Sequence, residues 1–313
     1  MRRPSDDLMR AHDVLVASDN VFQRRARLLQ ALWREEHGLP IGLHRGKPLG
    51  SRLPMPRAQE RLESYLTPTI RKVVRREVMD RERAAGKLFG RPRIFNDLLS
   101  SQPLCFNLFG ELAEDLGLAS RVFRRLLPDR VARVAAIELE WSPGRGDERF
   151  TGDNSAFDVF VRCVAPDGQA GFVGIEVKYH ESLRDAAAKL RPRYDQVARA
   201  MGAFREDGLE ELEARPLQQV WRDHLLAGSM LQADARWARG LFVFLHPRDN
   251  DRCVEVVEQY GSCLVADDTF AVWTLEHVAD ALGAENAGAW VDAVRDRYLR
   301  FEKVDRVVGA SGG

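Results

Sequence analysis

The stretch Gly171-Phe-Val-Gly-Ile-Glu-Val-Lys178 decides how this chain is read. It is apolar and β-branched, bounded by glycine, and reads as a buried strand. Side chains alternate along a strand, so Glu176 and Lys178 share one face while Ile175 and Val177 take the other. Burying an acid and a lysine in a sheet is costly unless they are paired or hold a metal. Upstream, Ser155-Ala-Phe-Asp-Val-Phe-Val161 is a second strand candidate with one embedded acid, Asp158. Two neighbouring strands that each carry a carboxylate, with a lysine beside one of them, suit a Mg²⁺ and water-activation site.

Working outward, three strands are expected at about 132–142, 155–165 and 171–180, the last two joined by a hairpin-like turn at Pro166-Asp-Gly168. A helix is expected from Ser100 to Leu116, with a capping group just before Pro103. Its apolar stripe is Cys105, Leu108, Leu112 and Leu116, and Glu111 lies at the stripe's edge, able to face a sheet beneath. After the meander come helical stretches from Leu183 to about Phe204 and from Pro216 to Leu231. Leu241-Phe-Val-Phe-Leu245 is a further buried strand, followed by helix 250–260, a short strand near 270–274 and helices over 275–302. The final Gly309-Ala-Ser-Gly-Gly313 reads as a frayed tail. Toward the N-terminus, Ser18 and Asp19 are candidate caps for a helix from Val21 to about His37. Residues 38–57 read as a Pro/Gly-rich loop or linker. A second helical segment covers about 58–85, with a break at Pro68.

Residues 1–93 hold 21 Lys and Arg against 11 Asp and Glu, a balance of +10 in a chain of net charge zero. A basic arm on a neutral protein suits a nucleic-acid partner, although a solvated helical surface explains it as well. The basic residues are 41 Arg and only 6 Lys. Lysine can tune its pKa and lend a proton where arginine cannot, so Lys178 invites a chemical role. Cys105, Cys163, Cys253 and Cys263 show no metal spacing and read as reduced core thiols. No apolar run approaches the length of a membrane span, and the N-terminus lacks an apolar signal core, which predicts a cytoplasmic protein. No P-loop, GxGxxG or GxSxG occurs, so nucleotide hydrolysis, dinucleotide binding and serine hydrolysis lack support.

The core order is helix, three-strand meander, helix, strand. In this order, and in Asp158 with Glu176-Val177-Lys178, the chain resembles the PD-(D/E)XK nuclease superfamily, the restriction-endonuclease-like fold, over about 96–246. It is most similar to a poorly characterised bacterial branch with a Ser-Ser-Gln-x-Leu-Cys-Phe-Asn-Leu-Phe-like segment, here 100–109. A Gln-x-x-Trp-Arg-x-His-Leu-Leu-like helix, here Gln218 to Leu226, points to the same branch. Phe157 stands where the superfamily's name has proline. The resemblance implies a mixed α/β (α+β) fold with an αβββαβ core, a central mixed sheet flanked by helices. It also implies two regions: a basic helical extension over 1–95 and the nuclease-like domain with a C-terminal helical extension over 96–313.

It implies Mg²⁺-dependent phosphodiester hydrolysis of DNA, with Mn²⁺ as substitute, in restriction or defence against foreign DNA. A nucleic-acid-binding protein that keeps the fold without turnover is the alternative. Asp158, Glu176 and the Val177 carbonyl would hold the metal. Lys178 would orient or deprotonate water, and Glu111 would assist the metal. Glu138 and Glu140 compete with Glu111, although solvent-facing alternation also accounts for them. Arg222 could clamp a phosphate, with Gln219 or His224 in support. Asp153 and Asn154 read as turn residues, and His180 and Glu181 at the cleft rim are given no role. RNA remains open as a substrate, and cutting both strands of a duplex would call for a homodimer.

Overall fold

The computed structural model of the chain describes residues 1–181, 183 and 187–310. At its centre lies a five-stranded sheet in the order β3-β4-β5-β6-β7. These strands are β3 (Arg133–Trp141), β4 (Phe157–Val164), β5 (Ala170–Val177), β6 (Arg239–His246) and β7 (Phe270–Thr274), and β1 and β2 form a separate hairpin described below. The first three make the antiparallel meander, and β6 and β7 run parallel to β5. Parallel neighbours need a crossover, and helices Pro192–Met201 and Gln218–Ala233 supply it between β5 and β6. The sheet is thus mixed, with helices on both faces, as the restriction-endonuclease-like reading requires.

Strand alternation builds two cores. Val159, Val161, Val173, Ile175, Val177, Val243 and Leu245 project to one face, where helices Ser101–Glu114 and Leu116–Leu126 cover them. Phe160, Phe172, Phe242 and Phe244 project to the other, against the 192–201, 218–233 and 251–262 helices. Gly174 sits mid-strand because a Cβ there would lie 2.4 Å from the ring of Phe157. The aromatic residue at the position of the superfamily's proline therefore fills the space over a glycine on the next strand. All four cysteines are buried and free. Among the described residues no helix is long and apolar enough to cross a membrane.

Several local expectations are corrected. Helix Val21–Glu36 is capped by Asn20 in a reciprocal capping box with Gln23, while Asp19 is taken by Arg27 at 2.6 Å. The 38–57 stretch is no simple loop: Gly42–His44 (β1) and Lys47–Leu49 (β2) pair across Arg45 and Gly46, both with φ near the left-handed region. Two successive positive φ values are what a tight hairpin turn needs. Helix Pro68–Val74 does begin at Pro68, with Thr67 as its cap. Helix Ser101–Glu114 starts two residues before Pro103 and has no side-chain cap of its own. Glu181, eighty residues away, accepts from Ser101 N instead. Of the helix expected from Leu183, residues 184–186 lie outside the described residues, and helix begins at Pro192. At the C-terminus, helix Glu302–Ala310 extends into the expected tail, whose residues 311–313 lie outside the described ones.

Residues on both sides of position 95 share one hydrophobic cluster: Phe22, Trp33, Tyr65 and Ile70 pack with Phe106, Phe109 and Tyr298. Arg297, fully buried, pins them together. Its guanidinium donates to Gln30 Oε1 at 3.1 Å and to the carbonyls of Ser64 and Leu98, and lies 4.5 Å from the Trp33 ring centre.

Candidate active site

The aromatic face of the sheet opens at the carboxyl ends of β5 and β6, where open α/β sheets hold their ligands. There a cleft of about 390 Å³ has Asp158, Glu176 and Lys178 in its lining. Register explains the gathering. Val159 pairs with Ile175, so one step further along the strands Asp158 faces Glu176. On the other side Leu139 pairs with Val159 and Trp141 with Phe157, which brings Glu140 opposite Asp158. Three acids from three neighbouring strands form one row.

The row is tied together by short contacts. Val177 N donates to Asp158 Oδ2 at 2.8 Å, so the peptide inside the Glu-x-Lys triplet is anchored to the second-strand acid. Lys178 Nζ lies 2.6 Å from Glu176 Oε1, and both residues are buried. Gln219 Nε2 donates to the same Glu176 oxygen at 2.8 Å. Burial, and then the Glu176 charge, push Asp158 well above the usual carboxylate range. Burial alone would lower the Lys178 ammonium, but Glu176, Glu181 and Asp158 outweigh it, and Lys178 stays protonated. Glu140 is raised by burial, partly offset by its 2.7 Å ion pair with Arg145. Asp223 is raised by burial and by Glu176. The floor is therefore a set of crowded carboxylates with one lysine among them.

Other expected residues fall differently. Glu111 does not line the cleft; its carboxylate takes the Thr67 hydroxyl beside the start of helix Pro68–Val74. Glu140 does line it. Alternation puts Glu140 on the same side of the strand as Glu138, and the register with the next strand sets that side opposite Asp158, at the cleft, instead of toward solvent. Glu138 pairs with Arg162 at 2.8 Å. Gln219 and Arg222 reach the cleft, but His224 does not. Its ring is wholly buried between Tyr260 Oη at 2.8 Å and Thr269 Oγ1 at 3.0 Å, and burial lowers it to about 3. His224 is a neutral core histidine, because the opposite face of its helix meets the cleft.

Arg222 is held on the cleft wall. Two of its nitrogens donate to Asp153 Oδ2 at 2.8 and 2.6 Å, and Tyr194 Oη joins the same oxygen at 2.6 Å. Burial works against the Asp153 charge, but Tyr194 and Arg222 overcome it and bring the carboxyl down to about 2. Asp153 is thus more than a turn residue. Nor is Glu181 idle: besides Ser101 N it accepts from Tyr179 N and His180 N, and it lines the cleft. Asp223 and Arg145 were missed. The i, i+3, i+4 spacing of Gln219, Arg222 and Asp223 marks one helix face and was the available signal. Arg145 had none, since it lies in the loop after β3 and its contacts to Glu140, Asn154 O and the distant Gly86 O depend on how that loop folds back.

Among the described residues, no group of three or more His, Cys, Asp or Glu side chains is gathered closely enough to hold a metal ion by itself. The donors nonetheless suit a hard cation. They are all oxygen, and Asp223 Oδ2 is buried without a hydrogen-bond partner. Two protein carboxylates are enough for Mg²⁺, which keeps several of its waters.

A fold with this mixed sheet, and an Asp and a Glu-x-Lys on its adjacent strands, is that of a restriction-endonuclease-like protein. A family model of the PD-(D/E)XK nuclease superfamily matches residues 17–300, and the chain belongs to that superfamily, whose members are generally nucleases. No curated protein and no solved structure matched the chain.

Proposed function

We propose that this protein is a divalent-cation-dependent nuclease that hydrolyses phosphodiester bonds of DNA on the floor of the 390 Å³ cleft. The observation that carries this reading is the row of Glu140, Asp158 and Glu176 beside Lys178, in a chain of this superfamily. Asp158 and Glu176 would hold Mg²⁺ or Mn²⁺, with the Val177 carbonyl as a main-chain donor. Glu140, and not Glu111, takes the auxiliary place, because it lines the cleft and Glu111 does not. When bound, such an ion lowers the pKa of water and offsets charge developing on the phosphate.

The chain's own groups supply the rest. Lys178 is a protonated donor at the reacting position, able to orient the attacking water or a phosphate oxygen. Gln219 fixes the Glu176 carboxylate through one oxygen and leaves the other for the ion. Arg93 and Arg145 on the cleft lining offer positive charge to the nucleic-acid backbone. Arg222 braces the wall through Asp153 rather than closing on phosphate alone. The family resemblance supports, as part of this proposal, a role in restriction or other defence against foreign DNA. A homodimer would let two such sites cut both strands.

The test is incubation with linear, supercoiled and single-stranded DNA and with RNA, in EDTA, Mg²⁺ or Mn²⁺. Metal-dependent cleavage of DNA is expected, and no cleavage by Glu176→Ala. Cleavage in EDTA would sink the proposal. So would binding of DNA without cleavage in either metal, which would leave a non-catalytic nucleic-acid-binding protein.

A further inference from the structure

We propose that Asp223 is an additional acidic donor to the cation centre, acting from the helix side through the ion's hydration water. The inference rests on the nuclease reading above but assigns a residue outside the strand motif. Asp223 is 6% exposed, lines the cleft, and sits one residue beyond Arg222 and four beyond Gln219 on helix Gln218–Ala233. Its Oδ2 is buried with no hydrogen-bond partner, and no cation lies within ion-pair distance of its carboxylate among the described residues.

That state is unusual for a buried acid. Neighbouring Arg222 is turned to Asp153, at 2.6 Å, and Lys178 to Glu176, also at 2.6 Å. Glu138 Oε2, another buried acid oxygen without a hydrogen bond, has the Arg162 guanidinium 2.8 Å away. Asp223 has no such contact; Arg222 and Lys178 reach it only at longer range and offset its desolvation in part. A hydrated cation on the sheet side compensates it directly. Among the described residues no three acids converge closely enough to share one ion, so Asp223 is placed as an acceptor for the ion's water and not as a third direct ligand. Carboxylates in such outer positions orient the water shell and commonly contribute a factor of about 10 to 100 in metal affinity.

The experiment measures Mn²⁺ binding by titration calorimetry on the full chain without substrate. Wild type is compared with Asp223→Asn, Asp223→Ser, Asp158→Asn and Glu176→Gln, each checked for fold by circular dichroism. Asp223→Asn should weaken Mn²⁺ binding about tenfold. Cobalt(III) hexammine, which binds only through its own ammonia shell, should weaken by a similar factor. Asp223→Ser, which also removes the acid, repeats the measurement if the amide variant does not fold. Mn²⁺ affinity unchanged in the folded Asp223 variants would overturn the proposal, as would a Mn²⁺ loss with unchanged hexammine binding. Wild-type Mn²⁺ binding in both Asp158→Asn and Glu176→Gln would overturn the nuclease reading itself. If those two lose Mn²⁺ while the Asp223 variants keep it, only the assignment of Asp223 falls.

Discussion

Charge is buried in two parts of this molecule, and the two are handled differently. Around helix Val21–Glu36, each buried arginine is answered by its own partner. Arg24 meets Asp6 at 2.6 Å, Arg25 meets Asp305 at 2.7 Å, and Arg27 meets Asp19 at 2.6 Å. Arg34 donates to Gly50 O at 2.8 Å, and Arg297 is held by Gln30, two carbonyls and the Trp33 ring. In the cleft, Glu140, Asp158, Glu176 and Asp223 crowd around a single lysine, and Asp158, Glu140 and Asp223 are pushed upward in pKa. Pairing one for one cements a fold. Acids left in excess are a reservoir of unfavourable charge that a cation can relieve.

The first way to break this comparison is to remove an acid from each kind of place. Asp158→Ala or Glu176→Ala should lower metal-dependent cleavage by more than about 100-fold. Without metal the melting temperature should hold or rise in Asp158→Ala, which relieves repulsion with Glu176, and fall in Glu176→Ala, which leaves buried Lys178 without its 2.6 Å partner. Plasmid cleavage and thermal melting together check it. Wild-type rates in either variant would remove the cleft from the chemistry.

Arg297→Met tests the other side. It strands the carbonyls of Ser64 and Leu98 and the oxygen of Gln30, and should cost roughly 3 kcal/mol in urea unfolding. Cleavage per folded molecule should be unchanged.

Asp153 belongs to the paired kind although it borders the cleft. Its folded pKa of about 2 lies below the ordinary 3.8. It therefore contributes stability that is fully present above the unfolded value and is lost as pH falls from about 4 toward 2. That contribution is on the order of 2 kcal/mol, and Asp153→Asn should flatten stability against pH across that window. A slope equal to wild type would mean that the Arg222–Tyr194 network does not hold this charge.

A smaller effect separates the two auxiliary candidates. Glu140→Gln should slow cleavage about tenfold, while Glu111→Gln stays within about twofold. The opposite ranking would restore the helix acid.

The smallest effect is expected from the exposed basic surface. Reversing Arg71, Lys72, Arg75 and Arg76 tests the basic arm. Lys72 and Arg76 already meet Glu114, at 3.4 and 2.5 Å, and Arg71 meets Tyr65 O. The slope of log affinity against log salt should change by less than about one. A change of three or more would make this helix a phosphate contact.

Much of this was legible beforehand. Strand alternation is a local property, so the facing of Glu176 and Lys178 and the apolar runs of β4, β5 and β6 could be read from residue spacing, while the mixed sheet followed only from the family resemblance. Capping was legible less well. Ser18 and Asp19 were the expected caps of a helix that Asn20 caps, and the Ser101 N–H found Glu181 from a distant loop.

What the chain alone determined is therefore the strand motif, Asp158 with Glu176 and Lys178, and the superfamily it announces. Only the tertiary structure decided the rest. Glu140 enters the cleft because strand pairing sets it opposite Asp158, and which side of an edge strand meets a cleft is decided by the neighbouring strand and not by the period. Asp223 enters because the 218–233 helix lays one face over the carboxyl ends of the strands, and His224 leaves for the core on the other face. The arginines of the N-terminal half are spent on partners up to 280 residues away, such as Asp305 for Arg25. Composition counts charges, but their roles depend on which partners the folded chain brings within a few ångströms.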